Sequence, residues 1–128
     1  MNKEPIANIS SYCYIASPYS SPYPEIVKAR YEITLRFTAD LFKRTFYVYS
    51  PIVHCHKIAK IINVPTDFEF WRHYNTTMLS KASSFFVLTL EGWEYSKGVT
   101  EEIKIAISET IPIHYFDSLT FDMITKIS

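Results

Sequence analysis

The stretch SFFVLTL, Ser84 to Leu90, followed by EGWEYSKGVTEEI, Glu91 to Ile103, decides the fold. SFFVLTL does not alternate polar with apolar, so it reads as a strand buried on both sides. Such strands belong to the interior of a sheet that is covered on both faces. The next residues end it. Gly92 and Gly98, the only two glycines of the chain, fall within seven residues of each other. Ser96 is a natural N-cap, and a helix follows to about Thr110. Strand, loop and helix in that order are part of a βαβ unit.

The same alternation extends outward. SYCYIAS, Ser11 to Ser17, is a second apolar run, stopped by Pro18. It also reads as an inner strand. PYSSPYP, Pro18 to Pro24, is a rigid loop. From Glu25 to Thr45 a helical stripe is expected at Ile26, Ala29, Ile33, Phe37 and Leu41. FYVYS, Phe46 to Ser50, reads as a strand and His54 to Ile62 as a short helix. Asp67 is the expected N-cap of another helix, carrying Phe68, Trp71, Met78 and Ala82. IPIHYF, Ile111 to Phe116, is a last strand, and the tail from Asp117 has only weak amphipathic character. The pattern predicts an α/β chain: one domain over 1–128, a three-layer sandwich with a mainly parallel central sheet.

Composition agrees with a globular domain and narrows the partners. Thirteen basic residues balance thirteen acidic ones, and 48% of the chain is apolar. A nucleic-acid backbone as main partner calls for a basic excess, which is missing. No apolar run is long enough to cross a bilayer, and the N-terminus lacks a signal core, so a cytoplasmic protein without membrane contact is expected. Two cysteines, Cys13 and Cys55, make no disulfide framework and suit a reducing compartment.

In a parallel sheet, ligands bind beyond the carboxyl ends of the strands. Three unusual loops must meet there: PYSSPYP, SPIVHCH and EGWEYSKG. At the last, Ser96, Lys97 and Gly98 open a helix whose free amides and positive end favour an anion; a plain capped helix is the competing reading. On that helix the buried stripe is expected at Val99, Ile103, Ala106 and Ile107. Glu101 then faces water, and Glu102 lies at the edge of the crevice, as a polar partner or a nucleophile. His54-Cys55-His56 has the residue types of a metal site. The two histidines cannot share a helix face and no second ligand cluster exists, so a polar loop with one histidine turned to the pocket is favoured over a metal. Tyr19 and Tyr23 read equally as surface tyrosines or as an aromatic wall. Trp71 and Met78 read first as core.

The pattern YIASPY, ARY, YSPIVHCH, DFEFW and GWEYSKGVTEEI resembles the small phage and bacterial family DUF1937. That family is similar to the nucleoside 2-deoxyribosyltransferases and the deoxynucleoside-monophosphate N-glycosidases. The resemblance spans about Tyr12 to Phe116 and is most specific at Ser96 to Glu102. It implies a Rossmann-like, deoxyribosyltransferase-like fold and a homodimer or larger homo-oligomer. It makes Glu102 the nucleophile toward the sugar's anomeric carbon, with Tyr14 helping to set it. It makes Ser96 a phosphate contact, where the deoxyribosyltransferases carry an aspartate. The implied ligand is a nucleoside, a nucleotide or a nucleotide-derived small molecule, without metal or organic cofactor. Its expected contacts are Ser17, Tyr19, His54, Asp67, Trp71, Gly92, Trp93, Ser96, Lys97 and Gly98.

One departure divides the functional reading. The aspartate that usually assists the leaving base has its place within Asn75, Thr76 and Thr77, none of them acidic. Asp67 and Glu94 are the candidate substitutes. An N-glycosidase or glycosyltransferase is therefore one expectation. A weakly active or inactive protein that sequesters a nucleotide-derived signal is the other, and an interaction module with a vestigial pocket is the third.

Overall fold

The computed structural model describes residues 11–44, 46–64 and 68–125. A five-stranded sheet forms the middle of the chain, in the order β2-β1-β3-β4-β5. The strands are β1 (Cys13–Ala16), β2 (Val48–Tyr49), β3 (Ser84–Thr89), β4 (Ile113–Asp117) and β5 (Met123–Ile124). The first four run parallel, and β5 pairs antiparallel with β4. Four helices accompany them: α1 (Pro24–Lys43), α2 (Pro51–Ile62), α3 (Phe68–Ser80) and α4 (Lys97–Ser108). Asp67, the expected cap of α3, lies outside the described residues.

The two apolar runs are inner strands, as their composition requires. Alternate side chains of β1 and β3 enter separate cores. Cys13, Ile15, Phe86 and Leu88 join Phe37 and Leu41 of α1. Tyr14, Ala16, Phe85 and Val87 join Leu79 of α3 with Val99 and Ala106 of α4. The sheet is thus flanked by helices on both faces. Phe86 is fully buried against Phe46 and Phe116, and truncation to alanine there costs about 3–5 kcal/mol.

Four local expectations are corrected. The inward face of α1 is Tyr31, Thr34, Phe37, Thr38 and Leu41, while Ile26 is exposed. Thr34 and Thr38 belong inside because each hydroxyl bonds the carbonyl one turn back, on Arg30 and Thr34 respectively. On α4 the inward face is Val99, Glu102 and Ala106, and Ile107 is 64% exposed. Glu102 replaces an apolar residue in the stripe. Finally, the tail supplies an edge strand. The Asp117 carboxylate accepts from the amides of Leu119 and Thr120 at 2.8 and 3.0 Å and turns the chain back onto β4. A strand of two residues leaves no periodic signal. Ala82 lies beyond the end of α3.

The chain leaves β1 toward β2 on one side and returns to β3 on the other. The connections after β1 and β3 therefore diverge, and a crevice opens at their carboxyl ends.

Candidate functional site

A cavity of about 530 Å³ occupies this crevice, within the range of small-ligand sites. All three unusual loops contribute. Ala16, Ser17, Tyr19 and Ser20 come from the connection after β1, and Pro51, Ile52, Cys55 and His56 from α2. Gly92, Tyr95, Ser96, Lys97 and Gly98 come from the connection after β3 and the start of α4. Arg30 of α1, Glu69, Trp71 and Asn75 of α3, and Glu102 of α4 complete the wall.

Glu102 is 6% exposed, and the Tyr14 hydroxyl donates to its Oε2. Burial pushes its carboxyl up to about 7, against the lowering effect of the Tyr14 bond. Burial, and then the neighbouring Glu102, push the Tyr14 phenol well above its ordinary value, so it stays protonated. Tyr14 is fixed by β1, stacked on Phe85 of β3 at 5.9 Å. A carboxylate that titrates near neutrality, oriented by a locked phenol, is suited to covalent or acid–base chemistry.

At the start of α4, Ser96 caps the helix: its Oγ accepts from the Val99 amide at 3.2 Å. As an acceptor in that bond, the hydroxyl keeps its own hydrogen for a ligand. Gly92 has φ +90°, and a Cβ there would stand 3.0 Å from Nη2 of Arg30. The turn requires glycine, while the tip of the Arg30 side chain would have to shift slightly for any Cβ. Arg30 donates to the carbonyls of Ser20 (2.9 Å) and Glu91 (3.4 Å), tying two loops together with a charge that meets no carboxylate among the described residues. Lys97 is different. It meets Glu69 at 3.0 Å, and Arg72, Glu101 and Lys104 extend that ion chain across the surface.

Elsewhere in the wall the Tyr19 hydroxyl bonds Nδ1 of His56, whose ring stacks on Tyr31 at 4.0 Å. Burial, then Lys60 and Lys57, lower the His56 pKa, which keeps it neutral. Ser17 bonds Thr34 at 3.0 Å. Asn75 is 8% exposed, and its Oδ1 has no hydrogen-bond partner. A buried orphan carbonyl costs about 1–3 kcal/mol.

The cavity brings together Ser17, Tyr19, Trp71, Gly92, Ser96, Lys97, Gly98 and Glu102, with Tyr14 behind Glu102. It does not take in His54, which is exposed and stacks beside Tyr74. The neighbouring His56 is the histidine of the wall, because α2 begins at Pro51 and turns residue 56 inward. Trp93 faces away, against Tyr115 and the α3–α4 core. Tyr23 is exposed at the start of α1, and Glu94 is exposed on the 3-10 turn after Gly92. Asp67 lies outside the described residues. Among those residues no three His, Cys, Asp or Glu side chains gather as a metal set, and no helix is long and apolar enough to cross a membrane. Arg30 was not legible as a site residue; one histidine of His54-Cys55-His56 was expected at the pocket without phase enough to choose His56, and Asn75 only as one of three places for a missing acid. Asn75 carried a signal all the same: it follows Trp71 by four, so both share one face of α3.

The family model described as Domain of unknown function (DUF1937) matches residues 11–118, and the chain belongs to that family. No curated protein matches it.

Proposed function

Taking membership of DUF1937 as the premise, we propose that the chain binds a 5′-phosphorylated nucleotide in this cavity and attacks its N-glycosidic bond through Glu102. The fold reading that goes with it is Rossmann-like and deoxyribosyltransferase-like. The single observation that carries the proposal is the buried Tyr14–Glu102 pair in the wall of a cavity that Arg30 and the start of α4 also line.

The chemistry follows from these positions. The phosphate meets the Ser96 hydroxyl and the first amides of α4, with the Arg30 charge adding to the positive potential. Glu102, ionised, attacks the anomeric carbon and forms a glycosyl–enzyme ester as the C1′–N bond breaks. The electron pair of that bond leaves on the base, which takes up a proton from water. Water then hydrolyses the ester, releasing the sugar phosphate and restoring Glu102. Tyr14 holds the carboxylate in position and stays protonated throughout.

Asn75 supports a second reading. The position expected to help the base depart holds an amide, which cannot donate a proton as an acid does. A site that holds a nucleotide-derived signal with little turnover fits that residue better. One experiment divides the two. The purified protein is denatured, any released small molecule is identified by mass spectrometry, and that molecule is incubated with fresh protein. Free base appearing over hours supports the N-glycosidase. An intact molecule recovered after the same time supports sequestration, and the absence of any nucleotide binding overturns both.

A further inference from the structure

Most polar side chains of the cavity wall are already engaged within the protein. Ser17 is bonded to Thr34, Tyr19 to His56, Glu102 to Tyr14, and Arg30 to two carbonyls. Among the buried polar side chains of the described wall, Asn75 is the exception. More than nine-tenths buried and part of the wall, it leaves Oδ1 without a donor. A buried acceptor left empty in the free protein is a cost to folding, and a ligand that brings an N–H removes it. Four residues earlier on α3, Trp71 enters the same cavity. Residues four apart on a helix are neighbours on one face, so an aromatic surface and an open amide stand side by side.

This pairing has a definite complement. A carboxamide offers one acceptor and two donors in a plane. It matches a flat heterocycle in which an amino group sits beside a ring nitrogen. Oδ1 accepts from the amino group, the amide nitrogen donates to the ring nitrogen, and the indole covers apolar surface. Asparagine makes this two-bond match with adenine. The 530 Å³ of the cavity leaves room for a purine together with a sugar phosphate.

We infer that Trp71 and Asn75 form the base-reading edge of the site, and that they select an adenine-type base. The inference rests on the nucleotide reading above and deepens it: the base is read by an amide rather than protonated by an acid.

Calorimetry with three probes tests it: adenosine 5′-monophosphate, purine riboside 5′-monophosphate, and ribose 5-phosphate. The second lacks only the amino group, and the third lacks the base. The wild type should bind the first about tenfold more tightly than the second, the worth of one well-made hydrogen bond. Asn75→Ala should abolish that preference and leave ribose 5-phosphate binding unchanged. Its melting temperature without ligand should not fall, because the amide removed was unsatisfied. Trp71→Ala should weaken both nucleotides by a similar factor and preserve their ratio. Equal wild-type affinity for the two nucleotides would overturn the inference and leave the nucleotide reading standing. So would an Asn75→Ala variant that loses all three probes equally. If neither purine nucleotide binds the wild type but cytidine 5′-monophosphate does, this inference falls and the nucleotide reading stands; if none of these nucleotides binds, both fall.

Discussion

Glu102 is 6% exposed and bonded to Tyr14, whereas the Glu69 side chain is 57% exposed and meets Lys97 and Arg72. Both line the same cavity. Their carboxyls move in opposite directions: burial raises Glu102 to about 7, while the bonds to Lys97 and Arg72 lower Glu69 below its ordinary value. Residue type alone therefore says little about what a carboxylate does. In the buried half of the cavity, desolvation outweighs a good hydrogen bond. At the rim, water screens the charges and the ion chain is cheap to rearrange. On the proposed reading, chemistry belongs to the first environment and ligand entry to the second.

The largest effect that could break this contrast is on turnover. Glu102→Gln keeps the shape and removes the nucleophile. Base release from a nucleoside 5′-monophosphate, followed by chromatography, should fall by on the order of 10³-fold or more while binding survives. In the wild type, release should rise with pH and level off above about 7, because the attacking carboxylate must be ionised. If Glu102→Gln cleaves at the wild-type rate, the chemistry lies elsewhere. If both bind and neither cleaves, the sequestering reading stands.

The next effect is on stability and needs no substrate. Below about pH 4.5 Glu102 is protonated in the folded and unfolded chain alike. Above that, the unfolded chain gives up its proton near the ordinary value of 4.5, while the folded chain keeps it until about 7. Stability therefore falls across this interval and levels off above it, by about 3 kcal/mol in total. Glu102→Gln has no proton to lose. Denaturant titrations should find the two proteins close at pH 4.5 and the variant ahead by up to about 3 kcal/mol at pH 8. A constant difference over this range would mean that Glu102 is solvated.

Nearer the rim the effects shrink. Ser96→Ala removes the hydroxyl that caps α4 and faces the cavity. Phosphorylated ligands should lose about 1 kcal/mol or more of affinity and the matching nucleosides almost none, as calorimetry would show. Equal losses would make Ser96 a helix cap alone.

The same contrast explains what could be read in the sequence. SYCYIAS and SFFVLTL were legible because strands buried on both faces must be apolar throughout, and Glu102 because Ser96 to Glu102 is a continuous motif on one helix. The α1 face was misjudged where threonine hydroxyls satisfy themselves on their own helix and enter the core. His56 and not His54 enters the cavity because α2 begins at Pro51, a matter of phase that three adjacent polar residues do not reveal. Arg30 leaves no local sign in the sequence because its role depends on Ser20 and on Glu91, which is 61 residues away in the chain. β5 is two residues long and is set by the Asp117 turn, which no periodicity reports.

The smallest effect sharpens the comparison most directly. Lys97 could serve a phosphate, yet Glu69 holds it at 3.0 Å in the free protein. Both side chains are more than half exposed, at 68% and 57%, so the pair contributes little to folding. Glu69→Gln should leave the melting temperature where it is. It should release Lys97 from a competing carboxylate and remove a negative charge from the cavity mouth. Affinity for a nucleoside 5′-monophosphate should rise about two- to fivefold at low salt, the scale of one exposed ion pair, and the gain should fade as salt is added. Affinity for the unphosphorylated nucleoside should not change. A weaker phosphorylated ligand in this variant would mean that Glu69 touches the ligand itself, for instance a sugar hydroxyl. The rim would then share in recognition, and the division between a chemical interior and an electrostatic entrance would fail.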